Sequence, residues 1–216
     1  MSYVLRVVDA TKVIKRATVL DHVSFELTQP GIYGFLGING SGKSMLFRAV
    51  SGLIRLTSGY VETPKGRLGT DYDFLPDLGL CFESSGFWDE MSGMKNLLRL
   101  ASIRGIVGRE EAAQALERVG LNPEDARPFS AYSMGMRQRL TLAQAIMEHP
   151  STLILDEPTN SLDVDGIEMV RSVLCEERDR GATVLVSCHG VQALEEVFDR
   201  AFNMSSGRLT EVTSHG

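Results

Sequence analysis

A strand that is apolar at nearly every position cannot lie with one face in water. This chain has three such runs: "GIYGFLG" (31–37), the first five residues of "TLILDEP" (152–158) and "ATVLVSC" (182–188). Stretches with helical spacing lie between and after them. "KSMLFRAVSGLI" (43–54) follows the first run, and "GIEMVRSVLCEERDRG" (166–181) separates the other two. Continuous apolar strands alternating with helices indicate an α/β fold, a mainly parallel sheet covered on both faces. "VLRVVDA", "VLDHVSFEL", "GYVET" and "LGLCFE" read as further strands. "VQALEEVFD" (191–199) reads as a helix, and "AFNMSSGRLTEV" as a hairpin turning at "SSG". From about 91 to 149 the pattern changes to three helical stretches with almost no strand signal: "MKNLLRLASIRG", "REEAAQALERVGL" and "SMGMRQRLTLAQAIMEH".

The chemistry starts where the first apolar run ends. "GINGSGKS" matches G-x-x-x-x-G-K-[ST] at Gly37, Gly42, Lys43 and Ser44, between a strand and a helix. Glycines let the backbone wrap closely, so the loop from Gly37 through Ile38, Asn39, Gly40, Ser41 and Gly42 turns successive N–H groups inward on anionic oxygens. The helix that starts at Lys43, Ser44 and Met45 adds the positive end of its dipole. Lys43 reaches β- and γ-phosphates, and the Ser44 hydroxyl is placed to ligate Mg²⁺.

Asp156 and Glu157 close the second apolar run, and ligands bind beyond the C-terminal ends of parallel strands. Asp156 is placed to hold Mg²⁺, and Glu157 to polarise an attacking water. His189 follows the third run at the same sheet edge, so a γ-phosphate contact is within its reach. In "YSMGMRQRLTLAQAI", Ser133 can cap a helix with Gly135 in its first turn, which makes a second anion site.

Together these motifs resemble the ATP-binding cassette family, the nucleotide-binding subunits of ABC transporters. The resemblance spans nearly the whole chain: "GINGSGKS" (Walker A), "YSMGMRQ" (the signature), "LILDEP" (Walker B), "NSLD" (the D-loop) and "SCHG" (the switch histidine). It implies a single ABC ATPase domain over 1–216. This is a phosphate-loop NTPase core with an N-terminal antiparallel β subdomain and an all-helical insert at about 91–149. Two cassettes would pair head to tail around ATP and Mg²⁺, each nucleotide lying between the Walker A loop of one copy and Ser133 and Gly135 of the other. Asp163 would communicate across that interface, Glu157 would act as base and His189 would touch the γ-phosphate. Lys43 completes the catalytic set.

Three positions depart from the family pattern, one of them Met136, which stands in the signature where glutamine is commonest. Ile14 stands where an aromatic usually stacks on adenine; isoleucine packs on the base without π-stacking. Glu83 stands where a glutamine usually senses Mg²⁺ and the attacking water, and it adds a potential metal ligand beside Asp156. A glutamate there, followed by "MSGMKNL", looks like the cassettes of exporters for drugs, lipids or antimicrobial peptides. Phe87 and Trp88, next in the chain, are expected either in the insert's own core or in a cleft that receives the membrane partner.

Composition sets the remaining bounds. A net charge of −6 argues against nucleic acid as a partner. The three cysteines fit reduced thiols, and no apolar run is long enough to span a bilayer. The expected setting is therefore cytoplasmic, peripheral on the cell membrane and beside a separate transmembrane transporter subunit. A soluble ABC ATPase acting on DNA, ribosomes or cluster assembly is the alternative. A small-molecule kinase would leave the signature stretch unexplained.

Overall fold

The structure, a computed structural model, describes residues 4–82, 86–189 and 194–212. Two sheets share the chain. β1 (Leu5–Ile14) pairs antiparallel with β2 (Ala17–Leu27) and with β4 (Ser58–Thr63), which also carries the two-residue β5 (Gly66–Arg67). Lys15 and Arg16 at the β1–β2 turn both have positive φ, the backbone that lets a two-residue turn follow strand twist.

The second sheet has the order β10-β9-β3-β8-β7-β6. Its parallel strands are β3 (Gly31–Leu36), β6 (Leu78–Cys81), β7 (Thr152–Asp156), β8 (Thr183–Cys188) and β9 (Arg200–Ser205). β10 (Arg208–Val212) returns antiparallel through the Ser206–Gly207 turn. β3 and β8 are buried at all six positions, as their continuous apolar sequences require.

Each face of this sheet has its own core. On one face α1 (Lys43–Ser51) and the antiparallel sheet enclose Phe25, Phe35, Phe47 and Phe202, whose ring centroids are 5.1–5.6 Å apart. On the other face lie α5 (Val164–Asp179) and the helices that separate β6 from β7. Those are α2 (Gly93–Arg104), α3 (Arg109–Arg118) and α4 (Met134–Ile146), with a 3-10 turn at Phe129–Ala131. Asn96, fully buried on α2, organises the preceding loop. Its amide donates to the carbonyls of Trp88, Met91 and Ser92, and its side-chain oxygen accepts from Trp88 N at 2.7 Å. Arg118 of α3 reaches Glu177 of α5 at 2.7 Å; Glu177 is 1% exposed and is also held by Arg180. A buried carboxylate is tolerable only with such partners.

One expected helix is not formed within its described residues. The described part of 191–199 holds only a 3-10 turn at Glu195–Val197; residues 190–193 lie outside the described residues. The reason is at the end of the segment. Phe198 is extended, and the Asp199 carboxylate accepts the Ile32 N–H at 2.7 Å, which draws the chain into the sheet before a second turn can form. Among the described residues, no helix is long and apolar enough to cross a membrane.

Two of the three cysteines are locked in the core. Desolvation pushes the Cys81 and Cys188 thiols from 9.0 up to about 12. Unfolded thiols ionise near 9 and the folded ones do not until about 12. The stabilising contribution is therefore complete below pH 9 and is lost as pH rises from 9 to about 12. In native protein at pH 8, iodoacetamide should modify the half-buried Cys175 first, with Cys81 and Cys188 reacting only in urea, as read by mass spectrometry.

Candidate active site

Parallel pairing aligns the ends of three strands. Leu36 is paired with Cys188, and Asp156 with Ser187, so the loop after β3, the acidic pair after β7 and the histidine after β8 emerge at one sheet edge. They surround a cavity of about 580 Å³. Asn39 through Met45 line it, with Asp156, Glu157 and His189. Gly37 and Ile38 serve from behind. Their carbonyls accept from Lys43 Nζ at 2.6 and 3.2 Å.

The loop needs its glycines. Gly37 has φ +152, and a Cβ there would lie 2.4 Å from Met204 O. Gly42 has φ +113, and a Cβ there would lie 2.9 Å from Val19 O. The Lys43 side chain is 4% exposed and its ammonium stands 3.5 Å from Glu157 Oε1. Ser41 Oγ is buried and has no hydrogen-bond partner among the described residues. A buried hydroxyl left unpaired in a loop of inward N–H groups fits an anionic oxygen, so the residues present suit a nucleotide phosphate.

Glu157 leaves β7 with φ +52, a left-handed backbone that costs a non-glycine residue roughly 1–3 kcal/mol. Its surroundings hold it there. The Glu157 N–H donates to Ser187 Oγ at 2.9 Å, and Asn160 Nδ2 donates to Glu157 Oε2 at 2.8 Å. His189 Nε2 is 3.6 Å from the same oxygen. Asp156, 8% exposed, accepts from Ser187 Oγ at 2.5 Å.

The remaining sequence-predicted residues that the structure describes lie outside the cavity wall. Ser133 caps α4 as expected, its Oγ accepting from Met136 N at 3.2 Å, and Gly135 follows in the first turn. Asp163 caps α5, accepting from Gly166 N at 2.9 Å, with its side chain 77% exposed. Ile14 is exposed near the β1–β2 turn and is not part of the lining; Thr18 and Val19 of β2 are. Glu83 lies outside the described residues. Phe87 is half-buried against Phe129, at 5.1 Å between centroids. Trp88 is half-buried beneath Arg99.

Sequence reasoning passed over Gln138, Asn160 and Ser187. Gln138 lies one turn beyond Gly135 on α4, lines the cavity and donates to Pro158 O at 3.1 Å. Helical spacing from Gly135 would have pointed to it. Ser187 is a polar residue inside a buried apolar strand, a signal in its own right.

Residues 20–160 match the ABC transporter family. The ABC transporter ATP-binding protein YybJ of Bacillus subtilis is 39% identical over 205 residues, 95% of this chain and 94% of that protein. The bacitracin transport ATP-binding protein BcrA of Enterococcus faecalis is 37% identical over 217 residues, covering 98% of this chain and 69% of the other. A bacterial ABC transporter cassette solved as a dimer has the same fold. Its TM-score is 0.86 at 22% identity, with 98% of this chain and 99% of that one covered. A family match across most of the chain, centred on a cavity with the groups for phosphate binding and hydrolysis, shows that this chain belongs to the ABC transporter family as an ATP-binding, ATP-hydrolysing subunit.

Proposed function

We propose that this chain is the ATPase subunit of an exporter of antimicrobial peptides or similar amphiphilic compounds. It works at the cytoplasmic face of the membrane with a separate transmembrane subunit and a second cassette. The single observation that carries the catalytic part is the convergence of Lys43, Asp156, Glu157 and His189 on one cavity. The likeness to the bacitracin transport protein BcrA supports the cargo class. The whole chain acts as one ATPase unit, with the helical insert at about 91–149 presenting the signature.

In this reading the loop from Gly37 to Ser44 cradles the phosphates and Lys43 exchanges its carbonyl partners for phosphate oxygens. Glu157 takes a proton from the attacking water, and His189 orients the γ-phosphate. Asn160, already bound to Glu157, fixes the carboxylate's direction. Ser44 and Asp156 would hold Mg²⁺, with Glu83 as a third candidate. One hydroxyl and one buried carboxylate suit a cation that keeps waters and takes its other oxygens from phosphates. Bound there, Mg²⁺ neutralises charge on the phosphates.

Ser133 and Gly135 then serve the nucleotide of the second copy, and Asp163 meets that copy across the interface. Exposed Ile38, Met134 and Val164 support this: they lie in the phosphate loop, in the signature and next to Asp163, at 80, 72 and 81% exposure. The transmembrane subunit docks in the groove of about 230 Å³ between β6 and the insert, lined by Phe82, Phe87, Leu100 and Gln144 among others.

Lys43→Ala should abolish Mg²⁺-dependent ATP hydrolysis by purified protein; wild-type turnover would remove the phosphate-loop assignment. Glu157→Gln should bind ATP, stall before hydrolysis and shift from monomer to dimer with ATP in light scattering. Normal turnover in that variant would exclude Glu157 as the base. Phe87→Ala should weaken co-purification with the transmembrane subunit while the ATPase activity of the isolated, folded cassette persists. Undiminished binding would place docking elsewhere.

A further inference from the structure

Ser187 is fully buried at the end of β8, has no place in the phosphate loop and does not line the cavity. Its hydroxyl is nevertheless committed twice. As donor it binds Asp156 Oδ1 at 2.5 Å, and as acceptor it takes the Glu157 N–H at 2.9 Å. Both partners sit directly across the β7–β8 pairing, where Asp156 is in register with Ser187. We infer that Ser187 is a positioning residue for both site carboxylates: one hydroxyl orients the Asp156 carboxylate and anchors the backbone from which Glu157 projects.

The two bonds have distinct effects. A carboxylate has two oxygens, and tying Oδ1 to a buried donor restrains the rotation of a group that lines the cavity. Partners behind a metal-holding carboxylate commonly set its orientation and affinity. The second bond acts on the main chain. At Glu157 the strand ends and the backbone turns left-handed, so the N–H has left the ladder to β8. Without Ser187 that donor would be buried beside an apolar strand and unpaired, at a cost comparable to the strain it now helps to offset. Of the side chains that fit a fully buried strand position, those with a hydroxyl can give and accept at once; alanine does neither, and a thiol does both poorly.

The inference rests on the reading of Asp156 as the Mg²⁺ carboxylate and of Glu157 as the base, so the test separates the two. Ser187→Ala, Ser187→Cys and Ser187→Thr are compared with wild type for thermal stability, turnover, and affinity for a non-hydrolysable ATP analogue in EDTA and in Mg²⁺. For Ser187→Ala and Ser187→Cys, affinity in EDTA should stay within about twofold of wild type, while affinity in Mg²⁺ and turnover fall roughly 10- to 100-fold. Ser187→Thr, which keeps the hydroxyl, should recover most of both. A folded Ser187→Ala with wild-type Mg²⁺ dependence and turnover would overturn the inference. If Ser187→Ala does not fold, the near-isosteric Ser187→Cys decides, and wild-type behaviour there overturns it equally. Equal losses in Ser187→Thr and Ser187→Ala would assign the effect to volume and also overturn it. Failure of the Glu157 assignment would appear separately, as unimpaired hydrolysis by Glu157→Gln, and would leave the Mg²⁺ comparison informative about Asp156.

Discussion

The in-register parallel pairing of β3, β8 and β7 is the constraint on which the rest depends. It brings the phosphate loop with its lysine, two carboxylates and a histidine from sequence positions far apart to one edge, because the loop, the acidic pair and the histidine each stand at the end of a buried strand. Burial keeps these strands inside the sheet, since a strand apolar at nearly every position has no face it can leave in water. The site is thus as fixed as the core. The hydrophobic term supplies the rigidity, and the polar groups only have to stand at the strand ends.

That division explains what was legible in the sequence. Continuous apolar runs announce the parallel sheet, and the glycine-lysine-serine spacing announces the phosphate loop, since both are local patterns with local physics. Ser133 also read correctly as a helix cap, because capping joins residues three apart. Ser187 and Gln138 were passed over for the opposite reason. Their partners are 19 to 57 residues away and become neighbours only once β8 lies on β7 and α4 packs over β6 and β7. The misread helix at 191–199 has the same origin. Its amphipathic pattern is real, but the Asp199 bond to Ile32 spans 167 residues, and it outweighs local propensity.

The site stores strain as well as charge. Glu157 and Ser161 both have positive φ, on either side of Asn160, whose amide holds the Glu157 carboxylate. A left-handed residue persists only where its neighbours over-determine it. Here the neighbours are Ser187 behind, Asn160 beside, and Lys43 and His189 in front. The two in front are the groups that a nucleotide would engage, whereas the two that fix the backbone and carboxylate need not move. Filling the cavity would therefore redistribute the contacts of Lys43 and His189 while the acidic pair keeps its direction.

A further link runs out of the cavity into the insert. Gln138 touches the carbonyls of Glu157 and Pro158 and also approaches Cys81 Sγ at 3.8 Å, so one amide of α4 contacts the ends of both β6 and β7. The same helix is capped by Ser133, and Arg139, the residue after Gln138, donates to Val119 O at the end of α3 and stands 3.9 Å from Asp163. The far end of the insert is pinned by Arg118 on the buried Glu177. A shift of the strand-end loop would therefore be felt by α4 through Gln138, close to its first turn, whereas the Arg118–Glu177 contact resists sliding of α3 over α5. One end of the insert is thus held by an ion pair on a buried carboxylate and the other is joined to the strand ends by hydrogen bonds.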